Sequence, residues 1–233
     1  MEKLFEYYRK LVRETDIEFY RYIYSKINWN SRMIGLTGPR GVGKTTLVLQ
    51  HIKEKLNLNE ALYVTAEDFY FASHRLLDLA DAFVKMGGKY LFIDEIHKYK
   101  DWSKELKLVY DYHPELNIVF TGSSVLDINK GASDLSRRAV MYQMQGLSFR
   151  EYLQLFHHIS SEVYTLQDMV THKVDIPGLE HPLPLFHEYL QTGYYPFALE
   201  DDYDIRLRQI INLTLESDIC LLYTSDAADE RSS

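Results

Sequence analysis

Short apolar runs alternate with segments of helical periodicity from about residue 33 to residue 156. The first run, residues 33–38 (MIGLTG), precedes a helix predicted over residues 43–56, whose apolar side chains share one face. Continuous apolar runs separated by such helices are typical of a parallel sheet covered on both faces. The same order repeats in predicted strands at 61–68 (ALYVTAED), 90–95 (YLFIDE), 117–124 (NIVFTGSS) and 139–146 (AVMYQMQG), and in predicted helices at 72–86, 102–112 and 148–156.

Segments of a different character flank this alternating region. Residues 1–28 mix aromatic and charged side chains without Gly or Pro, which predicts one or two helices before the first strand. Residues 159–184 have weak periodicity and hold three of the six prolines, which indicates a connection or insertion. Two further helices are predicted over residues 183–193 and 204–219, joined by the aromatic turn at 194–202.

Composition and charge restrict the classes of function. The chain has 233 residues and is 46% hydrophobic, which suits one large α/β domain with a small appendage. Its formal charge of −8 gives no overall basic field, so contact with nucleic acid needs a local patch or sequence outside this chain. There is no signal-peptide pattern and no apolar run of about 18 residues that could span a bilayer. We therefore expect a cytoplasmic protein without membrane contact.

The stretch from Cys220 to Ser233 is treated separately. Its first part, CLLYTSDAADE, resembles the translation of a transposase adapter used in preparing sequencing libraries. A natural acidic tail is the alternative. We expect the natural sequence to differ after Ile219 and to continue further. Cys220 is the single cysteine, so the chain offers neither an intrachain disulfide nor a paired-cysteine metal site.

One loop carries the pattern of a nucleotide phosphate site. Residues 38–45 (GPRGVGKT) match GxxxxGK[ST], follow a predicted strand and open a predicted helix. In such a loop, glycines let backbone N–H groups turn toward phosphates, and the helix N-terminus adds positive potential. Lys44 is expected to meet the β and γ oxygens, and the Thr45 hydroxyl to ligate Mg²⁺. The residues predicted to bind the phosphates are Gly38, Pro39, Arg40, Gly41, Val42, Gly43, Lys44, Thr45 and Thr46.

An acidic pair follows the strand predicted at residues 90–95. If this strand is central, Asp94 emerges at its carboxyl end beside the phosphate loop and can hold the Mg²⁺ shell. Glu95 can then polarise a water for attack on the γ-phosphate. The alternative is an acidic helix start whose carboxylates only cap backbone N–H groups. We favour the metal site because the apolar run before Asp94 belongs to a strand.

Other polar residues are candidates for roles beside these two motifs. Ser123, and after it Thr121, stand at the end of the strand predicted at 117–124 and could sense the γ-phosphate or a water. A turn and helix cap is the alternative. Arg137 and Arg138 could supply positive charge in the transition state, either within the chain or from a neighbour. The alternative for this pair is a solvated basic surface.

Other classes of phosphate-loop protein are disfavoured by what the sequence lacks. A GTPase would carry NKxD, but in INKGA Ala132 stands where Asp is required, and the LSGGQ-like signature of an ABC ATPase is missing. Residues 94–97 (DEIH) spell the DExH box of a helicase, whereas an apolar run ending in Asp-Glu is also the Walker B strand of an AAA+ ATPase. Residues 147–219 are too few and too helical to form the second lobe that a helicase needs, which favours the Walker B interpretation.

Several segments together resemble one family. The sequences GPRGVGKTTL, YLFIDEIHKYKDWSKELKLVYD, IVFTGSS, the SRR segment followed by QGLSFREYL, YLQTGYYPF and LTLESDI are similar to prokaryotic AAA+ ATPases whose ATPase module is typically joined to a C-terminal DUF4143 domain. The resemblance runs from about residue 10 to residue 219. It implies ATP as the nucleotide, with Lys44, Thr45, Asp94 and Glu95 in the roles given above. The family usually has Gly-Arg where this chain has Arg137-Arg138, so it does not choose between the two arginines.

We therefore expect an α/β P-loop NTPase of the AAA+ type, a three-layer sandwich with a mostly parallel five-stranded sheet followed by a small helical region. The expected activity is Mg²⁺-dependent ATP hydrolysis that acts as a switch for an absent C-terminal effector domain. Further partners are copies of the same chain and a DNA or protein target that the sequence does not identify. A nucleotide-gated binding module with negligible turnover and a DExH helicase-like motor are the alternatives. The expected divisions are residues 1–30 (helical), 31–158 (ATPase core), 159–184 (linker or insertion), 185–219 (partial lid or winged-helix-like region) and 220–233 (adapter-derived tail).

Overall fold

The computed structural model describes residues 1–123, 135, 137–198 and 200–216. Within these ranges the strands are β1 Met33–Thr37, β2 Ala61–Thr65, β3 Tyr90–Asp94, β4 Asn117–Gly122 and β5 Val140–Gln143. They form one sheet in the order β2-β3-β4-β1-β5, and every neighbouring pair is parallel. The expected α/β class and five-stranded sheet are confirmed, and the sheet is wholly rather than mostly parallel. The predicted tail at 220–233 and Ser124 lie outside the described residues.

The helices largely follow the predicted segments. The helix expected at 72–86 starts only at Leu76, because the Asp68 side chain accepts the Tyr70 N–H and caps a separate 3₁₀ turn at Phe69–Ala72. Within the described part of the chain, no helix combines the length and the apolar character needed to cross a membrane. The α-helices are α1 Glu2–Glu14, α2 Lys44–Lys55, α3 Leu76–Lys85, α4 Trp102–Tyr112, α5 Phe149–His157, α6 Leu166–Val170, α7 Pro182–Thr192 and α8 Tyr203–Thr214; further 3₁₀ helices span Tyr22–Lys26 and Ile96–Lys98.

The direction of the crossovers sets the layers of the fold. The chain moves from β1 across the sheet to the edge strand β2 through α2, and then returns through α3 and α4 toward β4. Because crossovers between parallel strands are right-handed, this reversal places α2 on one face and both α3 and α4 on the other. The packing agrees, since α1 contacts α2 and β2, whereas α3 contacts α4. The result is the expected three-layer sandwich.

The core consists of strands that are buried on both faces. Side chains of β1 to β4 are buried almost throughout, whereas those of the edge strand β5 are mostly exposed. Phe83 of α3 is fully buried, and its ring lies 6.1 Å from that of Phe5 in α1. Removal of such apolar area from water is the main stabilising term of the fold.

The segment before β1 folds back along α2. Gln50 of α2 donates from Nε2 to the carbonyls of Asp16 and Phe19, at 2.8 Å each. Trp29 stacks face to face on His51 of the same helix, with ring centroids 3.8 Å apart. These contacts hold the N-terminal segment against the middle of α2.

A matched pair of phenylalanine truncations tests the position of the core. Phe83→Ala should lower the free energy of unfolding by about 3–5 kcal/mol, because it removes a fully buried ring and leaves a cavity. Phe69→Ala changes the same residue type at a side chain that is 93% exposed, so an effect within about 0.5 kcal/mol is expected. Urea unfolding of the two variants measures this difference, and equal losses would contradict the described packing.

Candidate functional site

The carboxyl ends of three adjacent strands meet at one edge of the sheet. β1 leads directly into the loop at residues 38–43, β3 ends in Asp94, and β4 is followed by Ser123. β4 lies between the other two strands, so Ser123 follows the strand that separates the loop from the acidic pair. The crevice outside such strand ends, near the point where the chain reverses direction across the sheet, is the usual ligand site of open α/β sheets.

The loop at residues 38–43 closes around the side chain of Lys44. Its Nζ donates to the carbonyls of Gly38 and Pro39 at 2.8 and 2.9 Å, and the side chain is buried. Gly41 and Gly43 have φ angles of +78° and +96°, a region that side chains with a Cβ rarely adopt. Because Gly43 is the N-cap of α2, the loop opens onto a helix N-terminus, whose unpaired N–H groups favour an anion.

Burial leaves the ammonium of Lys44 short of compensating charge. Burial lowers the pKa of Lys44, although the carboxylates of Glu95 and Asp94 act in the opposite direction. An anion held in the loop would stabilise the charged form. The position is therefore suited to a ligand that carries its own negative charge, as phosphates do.

Asp94 accepts hydrogen bonds from hydroxyl groups on three different elements. Its Oδ2 accepts from Thr45 Oγ1 and from the Tyr63 hydroxyl, both at 2.6 Å, and its Oδ1 accepts from Thr121 Oγ1. The side chain is only 5% exposed, and a buried carboxylate requires such donors. Burial, and then the neighbouring Asp94, raise the pKa of Tyr63, so its phenol stays protonated and able to donate. Thr45 and Asp94 thus present oxygen atoms side by side, the ligand type that Mg²⁺ prefers.

Glu95 is held apart from Asp94 by its own backbone and by other partners. Its φ and ψ angles of 50° and 43° lie in the left-handed region, which is uncommon for a residue with a Cβ. Its Oε2 accepts from Ser123 Oγ at 2.9 Å, and His97 Nδ1 lies 3.4 Å from the same oxygen. Asp94 and Glu95 are adjacent in the sequence, yet their carboxylates have different surroundings: Asp94 contacts Thr45, and Glu95 contacts Ser123.

The two candidate sensor residues differ in what they contact. Thr121 is 1% exposed, donates to Asp94 and accepts from the Glu95 N–H at 3.2 Å, so its hydroxyl is already used within the protein. The expectation that Thr121 could sense a phosphate is corrected on this ground. Ser123 contacts the carboxylate of Glu95, which leaves it as the candidate beside an attacking water.

The predicted arginine pair lies away from the phosphate loop. Arg138 makes two hydrogen bonds to the Asp111 carboxylate, from Nε at 3.0 Å and from Nη2 at 2.9 Å, and Arg137 is exposed. Both precede β5, whose Val140 is in register with Ile34 near the start of β1, whereas the loop follows the end of β1. The two arginines therefore stand at the amino ends of the strands, whereas the phosphate loop lies at the carboxyl ends. This geometry does not support a role for the pair at the loop of its own chain; action on a neighbouring copy and a solvated basic surface remain the two interpretations.

Four side chains near the site were not found by sequence reasoning. Tyr63 and His97 contact the acidic pair, as described above. Tyr63 stands in no recognisable pattern, and His97 ends the DEIH stretch, in which the Walker B interpretation assigns no role to the histidine. Arg21 donates from Nη1 to the Val42 carbonyl of the loop at 2.5 Å and from Nε to Glu151 Oε1 at 2.9 Å. The spacing S-x-x-E from Ser148 to Glu151 is a readable capping-box signal, but it does not reveal the arginine.

A cavity of about 190 Å³ opens beside the phosphate loop. It lies between the N-terminal segment, the first turn of α2, α5 and the aromatic turn that precedes α8. Its walls are mainly apolar. The lining residues are Asp16, Phe19, Arg21, Val42, Gly43, Thr46, Leu47, Gln50, Leu155 and Pro196.

The parallel sheet, the glycine loop between β1 and α2, and the acidic end of β3 together define the class of P-loop NTPases. Residues 30–153 match the AAA_14 family of AAA domains, and the chain belongs to this family. It is accordingly a nucleotide-binding protein of the AAA+ type.

A curated relative is longer than this chain. The chain is 31% identical over 195 residues to uncharacterized protein MJ1637 of Methanocaldococcus jannaschii, and the alignment covers 75% of this chain. It covers 40% of the relative, so the chain spans less than half the length of that protein.

Solved structures with a similar fold include AAA+ proteins of low identity. A structure of C. elegans PCH-2 has a TM-score of 0.47 and 19% identity over 99% of this chain and 68% of that chain. A structure of katanin self-assembly has a TM-score of 0.45 and 15% identity, over 71% and 70% of the two chains. The S. cerevisiae Hsp104–ADP complex has a TM-score of 0.42 and 18% identity, over 86% and 30%. With every TM-score below 0.5, these likenesses carry no argument about function.

A pair of tyrosine substitutions tests the hydrogen bonds around Asp94. Tyr63→Phe should lower the free energy of unfolding by about 1–3 kcal/mol, because a buried carboxylate loses a donor. Tyr8→Phe is the matched control, since Tyr8 is also buried but its hydroxyl has no hydrogen-bond partner in the described part of the chain. The control should change the unfolding free energy little. Chemical denaturation compares the two, and a loss as large in Tyr8→Phe would show that Tyr63 is not a special donor.

Proposed function

We propose that the protein is a Mg²⁺-dependent ATPase whose nucleotide site consists of residues 38–46, Asp94 and Glu95. The observation that carries this proposal is the 2.6 Å contact between Thr45 Oγ1 and Asp94 Oδ2. It joins the hydroxyl at the start of α2 to the carboxylate at the end of β3, two groups separated by 49 positions in the sequence. The sequence motifs predict this pairing, and the fold brings the two oxygens together.

The donor set fits Mg²⁺. Mg²⁺ is usually bound by one or two protein oxygens together with substrate phosphates rather than by a complete protein cage. Thr45 and Asp94 supply such oxygens at the mouth of the loop, where they would hold the ion. When bound, the ion neutralises charge on the β and γ phosphates.

The loop residues bind and orient the triphosphate. The loop at residues 38–43 leads into the N-terminus of α2, whose unpaired backbone N–H groups form a preformed site for an anion. Lys44 exchanges its present acceptors, the carbonyls of Gly38 and Pro39, for phosphate oxygens. This exchange places an ammonium where negative charge increases during phosphoryl transfer.

The cavity beside the loop is the proposed site of the adenine base. Phe19, Leu155 and Pro196 provide apolar surface for a flat ring, and the cavity begins at Val42 and Gly43, adjacent to the phosphate positions. Gln50 holds the N-terminal segment that forms one wall, through its bonds to Asp16 and Phe19. A base and its phosphates would therefore lie across the first turn of α2.

Glu95 is the proposed group that accepts a proton from the attacking water. Its carboxylate is only partly buried, and Ser123 fixes its direction at 2.9 Å. His97 packs on the same side of this carboxylate. A general base must lie within hydrogen-bond reach of the water that it activates. The hydrogen bond from Ser123 therefore orients the Glu95 carboxylate for the hydrolysis step that we propose.

Arg137 is the proposed source of additional positive charge in an assembly of several copies. It is exposed, whereas Arg138 is already paired with Asp111. Because neither arginine is near the loop of its own chain, an isolated copy is expected to bind ATP with slow turnover. This placement favours, for the isolated chain, the second candidate function, a nucleotide-gated binding module.

The biological role that we propose is a nucleotide-driven switch for an attached effector domain. The match to a relative of which this chain spans 40% supports a larger arrangement. The aromatic turn before α8 and α8 itself lie against the phosphate loop, since a Cβ added at Gly41 would lie 3.0 Å from Phe197 and from Ile210. Nucleotide binding that shifts the loop would therefore change the contacts of this region.

Lysine substitutions on one helix test nucleotide binding. Lys44→Ala should weaken ATP binding by at least about 100-fold, because a charge-assisted contact to two phosphates is lost. Lys55→Ala is the control on the same helix, since Lys55 is exposed and pairs only with Glu54 in the described residues; its ATP affinity should stay within about twofold of the unmodified protein. Isothermal titration calorimetry with Mg·ATP measures both. Unchanged affinity in Lys44→Ala would refute the proposed site.

A glutamine substitution separates binding from hydrolysis. Glu95→Gln keeps the shape of the side chain but cannot accept a proton, so ATP binding should persist while the turnover rate falls by about 100-fold or more. Phosphate release under multiple turnover measures the rate. Equal rates in Glu95→Gln and the unmodified protein would exclude Glu95 as the base. Rapid turnover by isolated monomers would exclude the binding-module alternative.

A further inference from the structure

The segment at residues 148–153 (SFREYL) belongs to the sequence resemblance but has no part in the chemistry proposed above. It begins α5, where Ser148 is the N-cap and Glu151 the third helical residue. Glu151 Oε2 accepts from the Ser148 N–H and from Ser148 Oγ, at 2.9 Å each. This capping box uses one oxygen of the carboxylate. The other oxygen, Oε1, accepts from Arg21 Nε at 2.9 Å and from the Tyr22 N–H at 2.8 Å.

Arg21 connects this helix start to the phosphate loop. The side chains of Arg21 and Glu151 are 8% and 6% exposed, so both charges are removed from water. The guanidinium fork can satisfy several acceptors at once, which a lysine ammonium on its flexible stem cannot reproduce with the same geometry. Its acceptors are Glu151 Oε1 and the carbonyls of Val42, Gln145 and Gly146.

The bond to Val42 constrains the loop itself. Nη1 of Arg21 lies 2.5 Å from the Val42 carbonyl oxygen. Because the peptide group is planar, with its carbonyl and N–H on opposite sides, fixing the Val42 carbonyl also fixes the direction of the Gly43 N–H. Gly43 has a positive φ, which leaves its backbone many alternatives unless a neighbour selects one. The Gly43 N–H is one of the donors that a phosphate loop offers to its ligand.

Electrostatics favours a geometric role over general attraction of anions. Burial raises the pKa of Glu151, but the bonds from Arg21 and from the backbone N–H groups of Ser148 and Tyr22 bring it below its usual value. Glu151 is thus charged at neutral pH and neutralises Arg21. A buried ion pair contributes little net stability, because the cost of desolvation offsets the attraction. What the pair provides is a fixed arrangement of hydrogen bonds next to the loop.

We propose that Arg21 and Glu151 are a positioning pair that holds the phosphate loop in its nucleotide-binding conformation. This role rests on the proposed function, because the loop is the predicted phosphate site. Neither residue is placed in contact with reacting atoms; Glu151 orients Arg21, and Arg21 orients the Val42–Gly43 peptide. The SFREYL segment is thereby given a role in shaping the nucleotide site. It is remote from the loop in the sequence, since Arg21 and Val42 stand 130 and 109 positions before Glu151.

The test compares two conservative substitutions of arginine. Arg21→Lys keeps the positive charge but loses the fork. Arg75→Lys is the control, because Arg75 Nε is bonded to Glu105 Oε1 at the same 2.9 Å and makes no hydrogen bond to the loop among the described residues. Thermal unfolding establishes that each variant is folded. Calorimetry then gives the affinity for Mg·ATP, and hydrogen–deuterium exchange in nucleotide-free protein gives the protection of residues 38–43.

Arg21→Lys is expected to be folded, to bind ATP about 10- to 100-fold more weakly, and to exchange faster at residues 38–43, while Arg75→Lys matches the unmodified protein in both respects. A folded Arg21→Lys with ATP affinity within twofold of the unmodified protein and unchanged exchange at the loop would overturn the proposal. If Arg21→Lys does not fold, Glu151→Gln replaces it, with the same expected and contrary results.

Failure of the proposed function gives a different result. If the unmodified protein does not bind ATP, the ATPase proposal fails, and exchange at residues 38–43 alone decides the role of the pair. Faster exchange in Arg21→Lys than in Arg75→Lys then supports the positioning role, and equal exchange refutes it.

Discussion

The buried carboxylate of Asp94 is the constraint on which the site depends. It ends β3, and its oxygens accept from hydroxyls of α2, β2 and β4. A charge so far removed from water is tolerated only while those donors are in place, so the strand order and the site stabilise one another. The same bonds place Thr45 and Asp94 side by side, whereas the left-handed backbone of Glu95 and the hydrogen bond from Ser123 hold the second carboxylate apart. The proposed metal-holding group is thereby separated from the proposed proton acceptor. Fold and chemistry are linked at a single side chain.

Local patterns predicted most of the fold and the motif residues of the site. The glycine loop, the start of α2 and the acidic end of β3 each depend on adjacent residues, so their types and spacing were readable. The order of the strands was not readable, because it depends on which apolar faces pack together after the chain has crossed the sheet. This is why Tyr63, which reaches Asp94 from β2, escaped prediction, and why Thr121 was expected to contact a phosphate instead of Asp94.

The arginines show the same limit of prediction from sequence: two that were expected at the site lie away from it, and one that contacts the loop was not expected. In the sequence, Arg137 and Arg138 follow the other predicted motif residues, but the parallel register of β5 with β1 places them at the amino ends of the strands, away from the phosphate loop. Arg21 lies in a segment without any motif, yet it is bonded to the phosphate loop and to α5. Long side chains bridge elements that are distant in sequence, so their partners are decided by tertiary packing. The aromatic turn and α8, which lie against Gly41, extend this network from the loop to the helical region.

The most direct measurement is a crystal structure of the protein with Mn²⁺ and a non-hydrolysable ATP analogue, in which anomalous scattering locates the metal. The account predicts triphosphate density inside the loop at residues 38–45, the base in the cavity lined by Phe19 and Pro196, and a manganese peak between Thr45 and Asp94. Nucleotide bound at another surface, or a metal peak remote from Asp94, would contradict it.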